Sequence, residues 1–138
     1  MNLDGKKVLK YFPQPIFQYK VKNYKTHNED LSKYIYDLYE NDKEGLARSN
    51  RGGWHSKPFN LKEKDKPPFN FFMEIQTYVA DTFKEYGWRY TPGKVSLTEM
   101  WAIINKKNNF NLEHTHPNNY LSAAYYVKAP ENCGSFIV

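Results

Sequence analysis

The residues with the clearest capacity for chemistry lie in the segment Glu113-His114-Thr115-His116-Pro117. Residues two apart in a strand point to the same face. His114 and His116 can therefore aim two imidazoles at one point, and neutral imidazole suits Fe, Zn, Cu and Ni. A tetrahedral site or an oxygen-activating iron site would each need at least one further ligand. The plainer alternative is two solvated histidines at a turn, and the bare spacing does not choose between them. The other two histidines, His27 and His55, sit in different segments.

Several elements must position that pair. Residues 15–22, PIFQYKVK, alternate with Phe17, Tyr19 and Val21 on one side, the pattern of a half-buried strand. Thr26 can cap a helix over about 27–41, with Leu31, Ile35 and Leu38 on one stripe and Tyr34 and Tyr39 at its margins. Residues 48–59 read as an ordered loop, in which Gly52-Gly53 permits unusual backbone shapes and Trp54 is the anchor. Pro68 suits the first turn of a second helix. Phe72, Ile75, Val79, Phe83 and Tyr86 recur along it, and Gly87 ends it. Short strands follow: 95–105, a hairpin-like turn at 106–109, 110–116, a turn at 117–119, 120–127, and a further start after the turn at 130–132. Two helices before a run of strands predict an α+β architecture, a helix-backed barrel or jelly roll.

The 138 residues fit one domain, 1–138, with the N-terminal strand and helices over 1–90 and the barrel core beginning over 94–138. Twelve Tyr, nine Phe and three Trp supply ample apolar surface, which excludes a disordered chain. A single cysteine, Cys133, excludes an intrachain disulfide and suits a reducing, cytoplasmic setting. No stretch has transmembrane length, and Lys6, Lys7 and Lys10 interrupt any signal-peptide core. The net charge of +5 resides in residues 1–66, with 14 Lys and Arg against 9 Asp and Glu; residues 67–138 balance at 6 and 6. Since no basic run exceeds two residues, solvating lysines explain this better than a nucleic-acid surface. The chain stops at Phe136-Ile137-Val138, inside an apolar run, so a longer parent protein is expected.

Three motifs stand in order: Ser49-Asn50-Arg51-Gly52-Gly53-Trp54-His55-Ser56, then Met100-Trp101-Ala102-Ile103-Ile104-Asn105, then the segment 114–127, HTHPNNYLSAAYYV. In these motifs residues 48–138 resemble the 2-oxoglutarate/Fe(II)-dependent oxygenase superfamily, and more closely a small bacterial and phage branch with the patterns SNxGGWxS and HxHPxSxxSGxxYV. The resemblance implies a double-stranded β-helix (jelly roll, cupin-like) with two helices packed on one face, incomplete at its C-terminus. It implies Fe(II) at the barrel mouth, 2-oxoglutarate beside it, and O₂ as the third reactant. His114 matches the first iron ligand. His116 falls at the ligand position that the superfamily fills with a carboxylate, a departure the look-alike branch shares. Tyr126 matches the strand tyrosine that can bond the distal carboxylate of the cosubstrate. Trp101, Asn105 and Ser122 would line the same barrel, although packing is the stronger reading of Trp101. Ala123 replaces the usual glycine. The third histidine and the cosubstrate's Arg or Lys belong, in the superfamily, to later strands. Neither His27 nor His55 matches a ligand position, and Arg48, Arg51 and Arg89 lie on the wrong segments.

The expected activity is hydroxylation driven by O₂ with conversion of 2-oxoglutarate to succinate and CO₂, the primary substrate being unidentified. The alternative is a non-catalytic cupin-like metal- or ligand-binding barrel, such as a phage accessory protein. The absence of a Glu soon after the HxH pair speaks against a standard cupin site. Nucleic-acid binding ranks last, because no known recognition motif is present. No membrane partner is expected, and exposed strand edges of an open barrel offer a route to a homodimer.

Overall fold

Leu31 and Phe71, facing each other from two helices, set the centre of the core. A computed structural model of the chain describes residues 15–137; residues 1–14 and Val138, with the lysines at 6, 7 and 10, lie outside it. Helix α1 spans Tyr24–Asn41 and helix α2 spans Pro67–Glu85. Val21, Leu31 and Phe71 are buried together, flanked by Ile35, Ile75, Tyr78, Met100, Tyr125 and Val127. Along α2 the most buried positions are Pro68, Phe71, Thr82 and Phe83. The face turned to α1 is thus the 71, 75, 78 stripe, with the expected Phe72 and Val79 on its flank.

The end of α2 shows why the sequence stops the helix where it does. Gly87 has φ 69°, a left-handed conformation that glycine adopts without a Cβ clash. Its N–H donates to Lys84 O, and the Trp88 N–H reaches back to Phe83 O at 2.8 Å. The Phe83 and Trp88 rings meet edge-on at 5.4 Å, the apolar contact that accompanies this double hydrogen-bonded helix end. At the other end Pro67 and Pro68 occupy the first turn, where a missing N–H costs nothing.

The start of α1 differs from the expected one. The helix begins at Tyr24, behind Asn23 at φ 50°, and Thr26 lies within the first turn rather than capping it. Asparagine tolerates the left-handed region, so it can end the incoming segment without a glycine. Residues 15–22 also depart from expectation, since they join no sheet ladder. Their alternation is nonetheless used. Phe17 packs on Tyr86 at 5.2 Å, Tyr19 on Tyr78 at 5.3 Å, and Val21 enters the core. The Tyr19 hydroxyl donates to Asp81 Oδ2 at 2.9 Å, and Tyr78 Oη accepts from the Lys22 N–H at 2.9 Å. The segment therefore lies against α2, and a helix takes the place of the expected neighbouring strand.

Four short strands complete the described fold: β1 (Asn50–Arg51), β2 (Trp54–His55), β3 (Ile103–Ile104) and β4 (Phe110–Asn111). Strand β1 pairs antiparallel with β4, and β2 with β3, in the registers Asn50↔Asn111 and Trp54↔Ile104. The segments 95–105 and 110–116 do not pair with each other as a hairpin would require. Both instead flank the Gly52-Gly53 segment, and residues 105–109 bulge out between the two ladders. Asn108 at φ 68° and the Asn109 N–H bond to Lys106 O make that bulge a tight turn. A side chain at Gly53 would collide with the Asn105 amide, so glycine is needed there for close approach. No double-stranded β-helix is seen among the described residues, which form two helices with two small antiparallel sheets. Residues 120–127 lack a ladder partner there, and without one an alternating segment is not a strand.

Beyond the β2–β3 ladder, pairing continues through Ser56. Its N–H donates to Ala102 O, its Oγ accepts from the Ala102 N–H at 2.9 Å, and its hydroxyl donates to Lys57 O at 2.7 Å. Ser56 is 1% exposed, so its hydroxyl is fully used in place of water. Ser56→Ala orphans the buried Ala102 N–H and is expected to lower stability by about 1–3 kcal/mol. Urea unfolding checks this, and a change within error of zero would show the hydroxyl to be dispensable.

Asp42 ties the end of α1 to the same region. Its Oδ1 accepts from the Gly45 N–H at 3.1 Å, and its Oδ2 lies 3.3 Å from Lys57 Nζ. The Gly45 N–H first, and then the Lys57 ammonium, hold this carboxyl below the usual aspartate range. The group's contribution is complete above its unfolded-state pKa and is lost as pH falls through the lowered folded value. Asp42→Asn is expected to flatten the acid side of the stability–pH curve, as measured by melting temperature below pH 4. An unchanged acid limb would count against this role.

Candidate metal centre

The chain leaves the β1–β4 ladder at Leu112, whose N–H donates to Ser49 O at 2.9 Å, and delivers the two histidines just beyond it. His114 Nδ1 lies 2.7 Å from Leu112 O. A carbonyl only accepts, so Nδ1 is the donor, and in the neutral ring Nε2 is then the nitrogen with a lone pair to offer a ligand position. The His114 and His116 ring centres are 4.9 Å apart, inclined at 71°. His114 is exposed and His116 half-buried.

Two imidazoles bound to one ion through nitrogens about 2.0–2.1 Å away have ring centres roughly 4.5–5 Å apart. The observed spacing falls within that range. Among the described residues no group of three or more His, Cys, Asp or Glu side chains gathers around them. The pair alone offers two of the ligands such an ion needs.

Behind His116 stands the indole of Trp101, 5.7 Å away and tilted by 32°. On Trp101 lies the imidazole of His55, nearly parallel at 14° and 5.6 Å. His55 is buried, and its Nδ1 is 2.7 Å from Ser56 O. The four rings His55, Trp101, His116 and His114 thus follow one another from β2 to the histidine pair. Sequence reasoning gave His55 no ligand position. Its link to Trp101 comes from the β2–β3 register, His55↔Ile103, which places position 101 on the same face two residues along. That register is not visible from composition or spacing.

The remaining expected site residues are placed less closely. Asn105 Nδ2 donates to Asn111 Oδ1 at 3.2 Å and its amide crowds Gly53, so it serves the bulge between the ladders. Tyr126 is 57% exposed and Ser122 is exposed. No hydrogen bond or ring contact joins Asn105, Ser122 or Tyr126 to the histidine pair among the described residues. The neighbouring Tyr125 turns inward instead. It packs on Phe71 at 4.4 Å and donates its hydroxyl to Asn28 Oδ1 at 2.6 Å. Burial raises its phenol pKa, with the nearby Tyr78 adding to the shift. Tyr126, beside it, stays exposed and is not among the residues of the core cluster.

Residues 99–138 match a protein-family model described as "Putative 2OG-Fe(II) oxygenase". The matched segment contains Trp101, Asn105, His114, His116, Ser122 and Tyr126, and excludes both helices and the Gly52-Gly53 segment. No curated protein and no solved structure matches the chain. Among the described residues no helix is long and apolar enough to cross a membrane.

Proposed function

We propose that the protein is a 2-oxoglutarate- and Fe(II)-dependent oxygenase of the hydroxylase type. In this reading it is a single domain whose residues 94–138 contribute strands of a double-stranded β-helix. The observation that carries the reading is the adjacency of His114 and His116, 4.9 Å between ring centres, within the segment that matches the oxygenase family model.

Bound Fe(II) and 2-oxoglutarate supply the O₂ chemistry: one oxygen atom enters the substrate C–H bond, and the other enters succinate as CO₂ leaves. The chain's own residues hold and shield that centre. His114 offers Nε2, because Leu112 O holds the proton on Nδ1. His116 supplies the second imidazole where the superfamily has a carboxylate. Two neutral rings leave the site one unit more positive than a His–carboxylate pair, which favours an anionic cosubstrate. Trp101 stands against one side of the His116 ring. The Tyr126 phenol, free of internal partners among the described residues, is available to donate to a carboxylate. Ser122 is exposed, as Tyr126 is.

The test is succinate release by the purified protein. Release that requires both Fe(II) and 2-oxoglutarate and vanishes in His114→Ala is expected. Succinate formation that survives His114→Ala would sink the assignment. A metal-dependent rise in melting temperature without any succinate would move the protein to the binding-only barrel.

A further inference from the structure

His114 and His116 are held in different ways. His114 is oriented by its hydrogen bond to Leu112 O, a fixed point of the backbone. His116 makes no hydrogen bond among the described residues. Its ring rests between the His114 imidazole and the Trp101 indole. Trp101, half-buried, is likewise without a hydrogen bond there, and its flat contact is with His55. Only at His55 does the series meet the backbone again, through Nδ1 and Ser56 O at 2.7 Å. His55 is 7% exposed, and Ser56 is pinned to Ala102, the residue after Trp101, by two hydrogen bonds. The ring series is therefore fixed at both ends and stacked in between.

We infer that His55 is a positioning residue for the metal pair: it holds Trp101 flat, and Trp101 holds the His116 imidazole in place beside that of His114. His55 touches neither a metal nor a reactant, since the indole stands between it and His116. The inference rests on the oxygenase reading for its purpose, but its geometry can be tested without metal. A partner that orients a metal-binding histidine is commonly worth about 10–100-fold in metal affinity. An orienting contact made through a stacked ring, without a hydrogen bond to the ligand itself, belongs at the lower end.

The variants are His55→Leu, which fills the space without a flat ring, and His55→Phe, which restores the ring without the nitrogen atoms. The metal-free readout is the His116 Cε1–H resonance, which the Trp101 ring current displaces. It is expected to move toward the value of free imidazole in His55→Leu and to stay near wild type in His55→Phe. Ni(II) affinity is expected to fall about 10-fold in His55→Leu and to return to within about threefold in His55→Phe. If His55→Leu does not fold, Trp101→Leu tests the same series by the same resonance. A folded His55→Leu protein with an unmoved His116 resonance and unchanged Ni(II) affinity overturns the inference. If wild type binds no Ni(II), the oxygenase reading fails, and the metal-free resonance still decides whether His55 orients His116.

Discussion

Trp54→Ala is expected to lower the unfolding free energy by about 3–5 kcal/mol, the range for truncating a large buried aromatic side chain. Trp54 is 6% exposed. Its Nε1–H donates to Asp42 O at 2.6 Å, and its ring meets Tyr39 edge-on at 5.6 Å. One side chain thus joins the end of α1 to β2. The loss combines the cavity, the edge-to-face contact and a freed carbonyl. Urea denaturation of the variant measures it, and a loss below about 1 kcal/mol would show that Trp54 is not the anchor. The effect also reaches the site, because Trp54 and His55 are consecutive residues of β2. In Trp54→Ala the His55–Trp101 stack is expected to loosen, seen as a change in the fluorescence of the remaining tryptophans.

Removing His114 has the larger functional consequence. In His114→Ala one of the two donors is gone, and Ni(II) or Fe(II) affinity is expected to fall on the order of 100-fold or more, since loss of an orienting partner alone costs about 10–100-fold. His114 is exposed and lies in no buried cluster, so the variant should fold as wild type does. That separation makes the result interpretable. His116→Asp is the informative companion, because it installs the carboxylate usual in the superfamily at the position where this chain has imidazole. It is expected to keep metal binding while the site gains one negative charge. An affinity unaffected by His114→Ala would remove the pair from the metal-binding account.

Much of the helical layer was legible in the sequence because its signals are local. Pro67-Pro68, the apolar stripe and Gly87 define α2 by rules that involve only neighbouring residues. The role of Trp54 as an anchor was legible for a similar reason, between a glycine pair and a polar segment. What depends on pairing was not. The alternation of residues 15–22 correctly put Phe17, Tyr19 and Val21 on one side, but it could not say that the neighbour is α2. Residues 95–105 and 110–116 look like two arms of a hairpin. Their shared partner, residues 49–59, is far away in sequence, and the close approach at Gly53 is what lets it in. Tyr125 and Tyr126 are adjacent and identical in type, so spacing alone could not assign the inward one. Phe71 and Asn28 select Tyr125. The histidine pair stands out in the sequence by its spacing and neighbourhood. The ring series behind it required a strand register.

The measurement that tests the central claim most directly is an anaerobic titration of the protein with Co(II), followed by proton NMR of the histidine side chains. One equivalent is expected to shift and broaden the His114 and His116 ring protons together, with His27, which packs on Phe71 between the helices, much less affected. Titration that leaves the His114 and His116 signals in place, or perturbs all histidines alike, would contradict a shared metal ion at this pair.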